Sequence, residues 1–183
     1  VYNREELTAL AKVLEKHPHV YVVSDEIYEH INFSGTFCSI ASIPGMLERT
    51  ITVNGVAKAF AMTGWRIGYI GAPEFIAKAC TKIQGQVTSG ANSIAQRATI
   101  TAVEADPSVL NEMVSAFKSR RDLVVGLVKE IPGFKLNVPE GAFYVFPDVS
   151  YYFGKTVKGT EIKNATDFSM FLLAEANVAT EIG

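Results

Sequence analysis

The chain has 183 residues, 48% of them hydrophobic and 20% charged, with a formal net charge of −2. That much apolar side chain builds a buried core and argues against disorder, and the length suits one domain or parts of two. A charge so close to neutral leaves no basic footprint for a nucleic acid or an anionic membrane surface.

Cys38 and Cys80 stand far apart with no CxxC spacing, the pattern of reduced thiols in a cytoplasmic protein. No signal-peptide pattern is visible, and no apolar run is long enough to cross a bilayer. The chain opens at Val1-Tyr2 and stops at Glu181-Ile182-Gly183 without a tail, so it is expected to be part of a longer polypeptide.

Asn3-Arg4-Glu5-Glu6 reads as a capping box, with Asn3 as N-cap and Glu6 reaching back. Leu7, Leu10, Ala11, Val13 and Leu14 then keep helical spacing. His17-Pro18-His19 ends that helix, and the two histidines have no partner at metal-ligand spacing. Val20-Tyr21-Val22-Val23 is expected as a strand covered on both faces, running into Ser24-Asp25-Glu26-Ile27-Tyr28-Glu29. A helix followed by a buried strand with polar residues at its carboxyl end predicts an open α/β sheet, in which ligands bind beyond the carboxyl ends of the strands. Asp25 stands at that edge and Tyr28 a short turn further on. A turn or N-cap aspartate is the competing role for Asp25.

Thr50 to Val53 forms the next strand and delivers Asn54-Gly55 and then Lys58. This lysine lies in a nearly uncharged run, Gly55-Val56-Ala57-Lys58-Ala59-Phe60-Ala61, and Arg66 follows between Gly64 and Gly68. An amine in apolar surroundings loses proton affinity, and a neutral amine attacks carbonyls to form a Schiff base. A guanidinium fork suits a phosphate. The pair therefore points to pyridoxal phosphate, which carries an aldehyde and a phosphate. A turn lysine beside a structural arginine is the alternative.

Trp65 to Ile70 is expected as a further strand. Pro73 and Glu74 suit the first turn of a helix through Ile76, Ala77, Ala79, Cys80 and Ile83. Ser89 to Asn92 breaks the pattern before a second helix from Ser93 to Val103. The Gln86–Gln96 segment is either an interface loop or an ordinary polar turn. Asp106-Pro107-Ser108 opens a longer helix from Val109 to about Glu130, striped by Leu110, Met113, Val114, Phe117, Leu123, Leu127 and Val128. Lys118, Arg120, Arg121 and Asp122 are read as its solvated face. Ile131-Pro132-Gly133 stops it. Phe134–Val138 and Gly141–Phe146 are expected as two short strands of a separate α+β unit. A helix from Asn164 to Ala176 would pack on them through Met170, Phe171 and Leu172.

Ser24-Asp25-Glu26-Ile27-Tyr28-Glu29, then Val53 to Tyr69 around Lys58 and Arg66, then Pro139-Glu140-Gly141-Ala142-Phe143-Tyr144, together resemble class I/II aminotransferases. These are pyridoxal-phosphate-dependent enzymes of fold type I, and the likeness is greatest to the prokaryotic aspartate aminotransferases. It runs in order along essentially the whole chain and corresponds to the carboxy-terminal part of such an enzyme. The fold it implies is α/β and partial. Residues 1–108 would be the carboxy-terminal half of the large cofactor-binding domain, 109–131 the long interdomain helix, and 132–183 part of the small α+β domain.

The resemblance also implies roles. Lys58 would bind the cofactor as a Schiff base and afterwards move the proton of the substrate α-carbon. Asp25 would pair with the pyridine nitrogen, Tyr28 would donate to the ring hydroxylate, and Arg66 would clamp the phosphate. Lys58, Asp25 and Tyr28 are thus the catalytic candidates and, with Arg66, the cofactor-binding ones; no metal is implied. Relatives often carry a serine just before the lysine, and Gly55, Val56 and Ala57 supply no such hydroxyl. Other site residues of the family lie before Val1 or after Gly183, so these 183 residues alone are expected to turn over little or nothing. Members are usually cytoplasmic homodimers. The implied reaction is amino transfer from an amino acid, aspartate-like at first choice, to a 2-oxo acid. Alternatives are a carbon–sulfur β-lyase or related fold type I enzyme, and the aminotransferase-like domain of a cofactor-sensing transcription regulator. A Schiff-base aldolase is disfavoured, because its (β/α)₈ barrel needs a repetition absent here.

Overall fold

Asn3 starts the first helix as its spacing predicts. In a computed structural model describing residues 1–182, its side chain accepts the Glu6 N–H at 2.9 Å while Glu6 accepts the Asn3 N–H at 2.8 Å. The helix, α1 (Arg4–Glu15), buries Leu7 and Ala11. These two pack with Ile40, Ile43 and Met46 into a core that Leu14, Val22 and Cys38 border. His17-Pro18-His19 follows the helix, and Arg49 closes that end. Its guanidinium donates to the carbonyls of Leu14, His17 and Val20, satisfying acceptors that a helix end leaves open.

Three strands form the sheet, in the order β1 (Val22–Asp25), β2 (Thr50–Gly55) and β3 (Gly68–Gly71). β1 and β2 run parallel, in register from Val22 opposite Thr50 to Asp25 opposite Val53. β3 returns antiparallel, with Gly55 opposite Gly68 and Asn54 opposite Tyr69. Two expectations need correction. The first strand starts two residues later than Val20 and is not covered on both faces: Val23 is 70% exposed, because the described residues pack on one face only. Trp65 is not in a strand either. Thr63–Trp65 form a 3-10 turn and Arg66 adopts a left-handed conformation (φ 54°), so extended pairing begins only at Gly68.

Chain contacts divide the protein into two units, residues 1–118 with 140–143, and residues 119–139 with 144–183. The first holds the sheet, α1, α2 (Glu74–Val87) and α3 (Ser93–Val103). Pro73 precedes α2, and the Asn92 side chain caps α3 by accepting the Ala95 N–H at 3.0 Å. α4 (Asn111–Lys129) follows a 3-10 turn over Pro107–Leu110, whose cap Asp106 accepts the Ser108 N–H at 2.8 Å. Such bonds hold Asp106, and likewise Asp148 before Ser150, below the ordinary carboxyl value of 3.8. Their contribution is present above that value and is lost as pH falls through the lower folded one. Arg121 departs from the solvated face read for it. It is half-buried and donates to the Pro139 carbonyl at 2.6 Å, while its Nε binds Asp122 at 2.7 Å.

The segments after α4 differ most from expectation, and most of them lie in the second unit. Phe134–Val138 and Gly141–Phe146 are not strands; isolated bridges pair Lys135 with Asp148 and Asn32 with Gly141. Pro139 and Pro147 each follow directly on one of these segments, where the missing N–H stops a ladder from being extended. The hairpin lies later, as β4 (Lys155–Val157) and β5 (Thr160–Ile162). Lys158 (φ 48°) and Gly159 (φ 82°) make its two-residue turn, the left-handed pair that suits strand twist. α5 (Ala165–Ala176) is capped by Asn164, yet Met170 is 57% exposed rather than core. Phe134, Tyr152 and Phe168 form this unit's aromatic cluster.

Replacing Asn3 by Ala removes the side-chain bond of the capping box, leaving only the one its backbone N–H gives to Glu6, and is expected to lower stability by about 1 kcal/mol, read as a shift in the urea midpoint at unchanged slope. Gly55→Ala should cost more, about 1–3 kcal/mol in the same measurement. Its Cβ would stand 2.9 Å from the Ile67 carbonyl oxygen and 3.2 Å from Gly68 Cα, both backbone atoms that cannot rotate away.

Candidate active site

Parallel pairing brings the carboxyl ends of β1 and β2 to one edge, and the candidate residues leave from there. Asp25 closes β1 opposite Val53. The next residue continues the register, since Glu26 N–H donates to the Val53 carbonyl at 2.8 Å. The Glu26 carboxylate is buried and accepts the hydroxyls of Ser24 at 3.0 Å and Ser39 at 2.7 Å. A buried carboxylate needs such partners, and here they pin the start of the loop that carries Tyr28. The exposed Asp25 carboxylate accepts the Ile27 N–H at 3.2 Å, a turn contact that steadies it at the sheet edge.

Lys58 follows the end of β2 by three residues. Val56 and Ala59 on either side are buried, and Ala61 N–H reaches the Lys58 carbonyl at 3.3 Å. The chain is thus anchored by its small apolar residues while the longer lysine remains half-buried. The Lys58 Nζ lies 5.8 Å from the Tyr28 ring centroid and 5.4 Å from that of Phe143, within cation–π range. Tyr28 meets Phe143 edge-on at 5.2 Å, and Phe143 stacks on Phe117 at 5.3 Å. Lys58 and Tyr28, picked out in sequence, therefore share one aromatic seat.

Arg66 stands apart from that seat. It is exposed and donates to the Thr63 carbonyl at 2.9 Å. With Trp65, Tyr69, Ala77, Cys80 and Asn92 it lines an open groove of about 1370 Å³ that includes none of Asp25, Tyr28 and Lys58. Ala61 (φ 52°) and Arg66 (φ 54°) are both left-handed. Such backbone is uncommon outside glycine and concentrates at functional sites.

Sequence reading missed several contributors. Phe143 was visible only as part of Pro139–Tyr144, and nothing in its spacing marks it as a neighbour of Lys58. Asn54, at the end of β2, is buried and donates through Nδ2 to Glu29 Oε1 at 2.8 Å. Across the strand pair from Asn54, Tyr69 has its phenol pushed above 10.0 by burial and by the Glu29 charge. Among the described residues no cluster of three His, Cys, Asp or Glu side chains is arranged for a metal ion, and no helix is long and apolar enough to cross a membrane. Cys38 and Cys80 are free thiols.

The sequence pattern of the family described as Aminotransferase class I and II matches residues 1–181. An aspartate aminotransferase of Pinus pinaster is 48% identical over 184 residues, covering 98% of this chain and 37% of that protein. One from Rhizobium meliloti is 45% identical over 185 residues, covering 100% of this chain and 45% of the other. A crystal structure of the Rhizobium meliloti aspartate aminotransferase superposes with a TM-score of 0.91 at 44% identity, over 98% of this chain and 46% of that one. An aromatic aminotransferase of Pyrococcus horikoshii superposes with a TM-score of 0.86 at 36% identity, over 100% and 47%. The chain thus spans less than half the length of these relatives, and throughout its matched residues it belongs to the class I and II aminotransferases, with their fold type I architecture.

Proposed function

We propose that the polypeptide carrying this chain is a pyridoxal-phosphate-dependent aminotransferase, moving an amino group from an aspartate-like amino acid to a 2-oxo acid such as 2-oxoglutarate. The supporting observation is the half-buried Lys58 amine against the Tyr28 and Phe143 rings, beside the strand end that carries Asp25. The names of the relatives favour the aspartate assignment. The donor types suit the cofactor: an amine for its aldehyde, a carboxylate for its ring nitrogen and a phenol for its ring oxygen, while the guanidinium suited to its phosphate is that of Arg66, which lines a separate groove.

Bound there, pyridoxal phosphate supplies an aldehyde that takes up amino groups and a ring that accepts the electron pair released at the substrate α-carbon. The protein's share is binding, orientation and proton transfer. Lys58 Nζ removes the α-proton and returns it, a positioned acid–base function typically worth about 10²–10⁴-fold. The Asp25 carboxylate keeps a proton on the ring nitrogen through a charge-assisted hydrogen bond. The Tyr28 hydroxyl donates to the ring oxygen. Arg66 would present guanidinium N–H groups to the phosphate, and with Gly55, Val56 and Ala57 lacking hydroxyls it would carry a larger share of that grip.

The proposal concerns the full-length gene product, and a homodimer in the cytoplasm is the assembly and location expected for it. The test is half-transamination: an amino acid converts the bound cofactor to its amine form, read by loss of visible absorbance. Aspartate and glutamate should drive it, and Lys58→Ala should slow it at least about 10²-fold. Borohydride should fix the cofactor on residue 58, read by peptide mass, and no label should appear in Lys58→Ala. A protein that stays colourless with saturating cofactor and gains no label ends the proposal.

A further inference from the structure

We propose that Asn54 and Glu29 form a positioning pair that sets the separation of Tyr28 from Lys58; the inference rests on the function proposed for those two residues. Glu29 follows Tyr28 directly, and Asn54 precedes Lys58 by four residues, so their 2.8 Å hydrogen bond joins the two segments on which the seat depends.

The bond is built for rigidity. Asn54 is buried at 8% exposure, and both ends of its carboxamide are engaged: Nδ2 donates to Glu29 and Oδ1 accepts the Gly55 N–H at 2.7 Å. Its rotamer is therefore fixed from two directions, and an ionised acceptor makes the first bond a strong one. On the other side, Glu29 N–H donates to the Glu26 carbonyl at 2.9 Å, so the residue sits in a closed turn. A second tie runs alongside. Glu29 Oε1 lies 3.3 Å from His30 Nε2, and the His30 ring meets Phe60 edge-on at 6.0 Å. Asn54 and Phe60 thus flank Lys58 in sequence, and both are held by the residues that follow Tyr28.

The other anchors of this loop act elsewhere. Glu26 fixes its beginning through Val53, Ser24 and Ser39, and Ala142 N–H fixes its far end on the Ile31 carbonyl at 2.8 Å. Asn54 and Glu29 secure the stretch between. A displacement of about 1 Å in a reacting group is enough to cost about 10²-fold in rate, so a pair remote from the reacting atoms matters if it controls that distance.

The experiment uses the full-length gene product loaded with pyridoxal phosphate and compares it with Asn54→Ala, Glu29→Ala, Glu29→Gln and the Asn54→Ala/Glu29→Ala double variant. Each is scored by kcat and KM and by the pH at which the visible absorbance of the bound cofactor changes. The two single Ala variants should lower kcat about 10-fold or more with KM little changed, and should raise that pH midpoint as Tyr28 moves off the ring oxygen. The double variant should be no worse than either single one, because both remove the same interaction. Glu29→Gln, which still accepts from Asn54, should recover most of the loss. If Asn54→Ala does not fold, the two Glu29 variants decide alone, since Glu29 lies nearer the surface. An unmoved pH midpoint in the Ala variants, equal defects in Glu29→Gln and Glu29→Ala, or additive losses in the double variant would overturn the pair. A colourless unsubstituted protein would instead overturn the function on which it rests, and the pair with it.

Discussion

Parallel pairing of β1 with β2 is the constraint from which the candidate site follows. Because the strands run the same way, both chains leave the sheet at its carboxyl edge, and Asp25 comes level with Val53. A one-residue slip would reverse the face to which every side chain of β1 points, sending Asp25 away from the partner it now accompanies. The register is reinforced where it matters. Glu26 N–H extends the ladder one residue past β1, and its carboxylate takes two serine hydroxyls. At the other end of β1, Arg49 gathers the carbonyls of Leu14, His17 and Val20. It stands immediately before Thr50, the first residue of β2, so helix end, strand start and strand pair share one side chain.

Local signals were legible. The capping box at Asn3 and the helix that follows it depend on side chains reaching only three residues along the chain, and near neighbours in sequence are necessarily near in space. Lys58 and Tyr28 stood out for a different reason, as one polar group in an apolar run and one phenol past a strand end. Phe143 was not legible, because its contact with Lys58 crosses more than eighty positions and no spacing rule spans that. The hairpin at Lys155–Ile162 was also missed, although Lys158-Gly159 is a turn signal of the left-handed kind. The apolar runs at Phe134–Val138 and Gly141–Phe146 outweighed it, although a proline follows directly on each.

The burial of β1 shows what a strand pattern means. Val20-Tyr21-Val22-Val23 has the composition of a strand buried on two faces, and in the described residues only one face is covered. Apolar side chains on the helices behave alike: Phe75 is 61% exposed, Val87 74% and Ile94 71%. Large apolar side chains this exposed are individually ordinary on a protein surface. The relatives are more than twice as long as the matched region. The assignment of the fold is unaffected, since the superposition covers nearly the whole chain.

Arg66 shows how the backbone chooses between structure and chemistry. A 3-10 turn ends at Trp65, and continuing it would have turned the guanidinium with the helix. The left-handed step at Arg66 (φ 54°) stops the turn, and extended pairing with β2 resumes two residues later at Gly68. Glycine would adopt that step without strain, yet an arginine occupies it. The neighbours tell the same story: Gly64 and Gly68 flank it, while Gly55, opposite Gly68, has no room for a Cβ. Of these glycines only Gly55 is tight, since a Cβ at Gly64 would meet nothing within 4 Å. An arginine at the left-handed step accords with the phosphate role proposed for it.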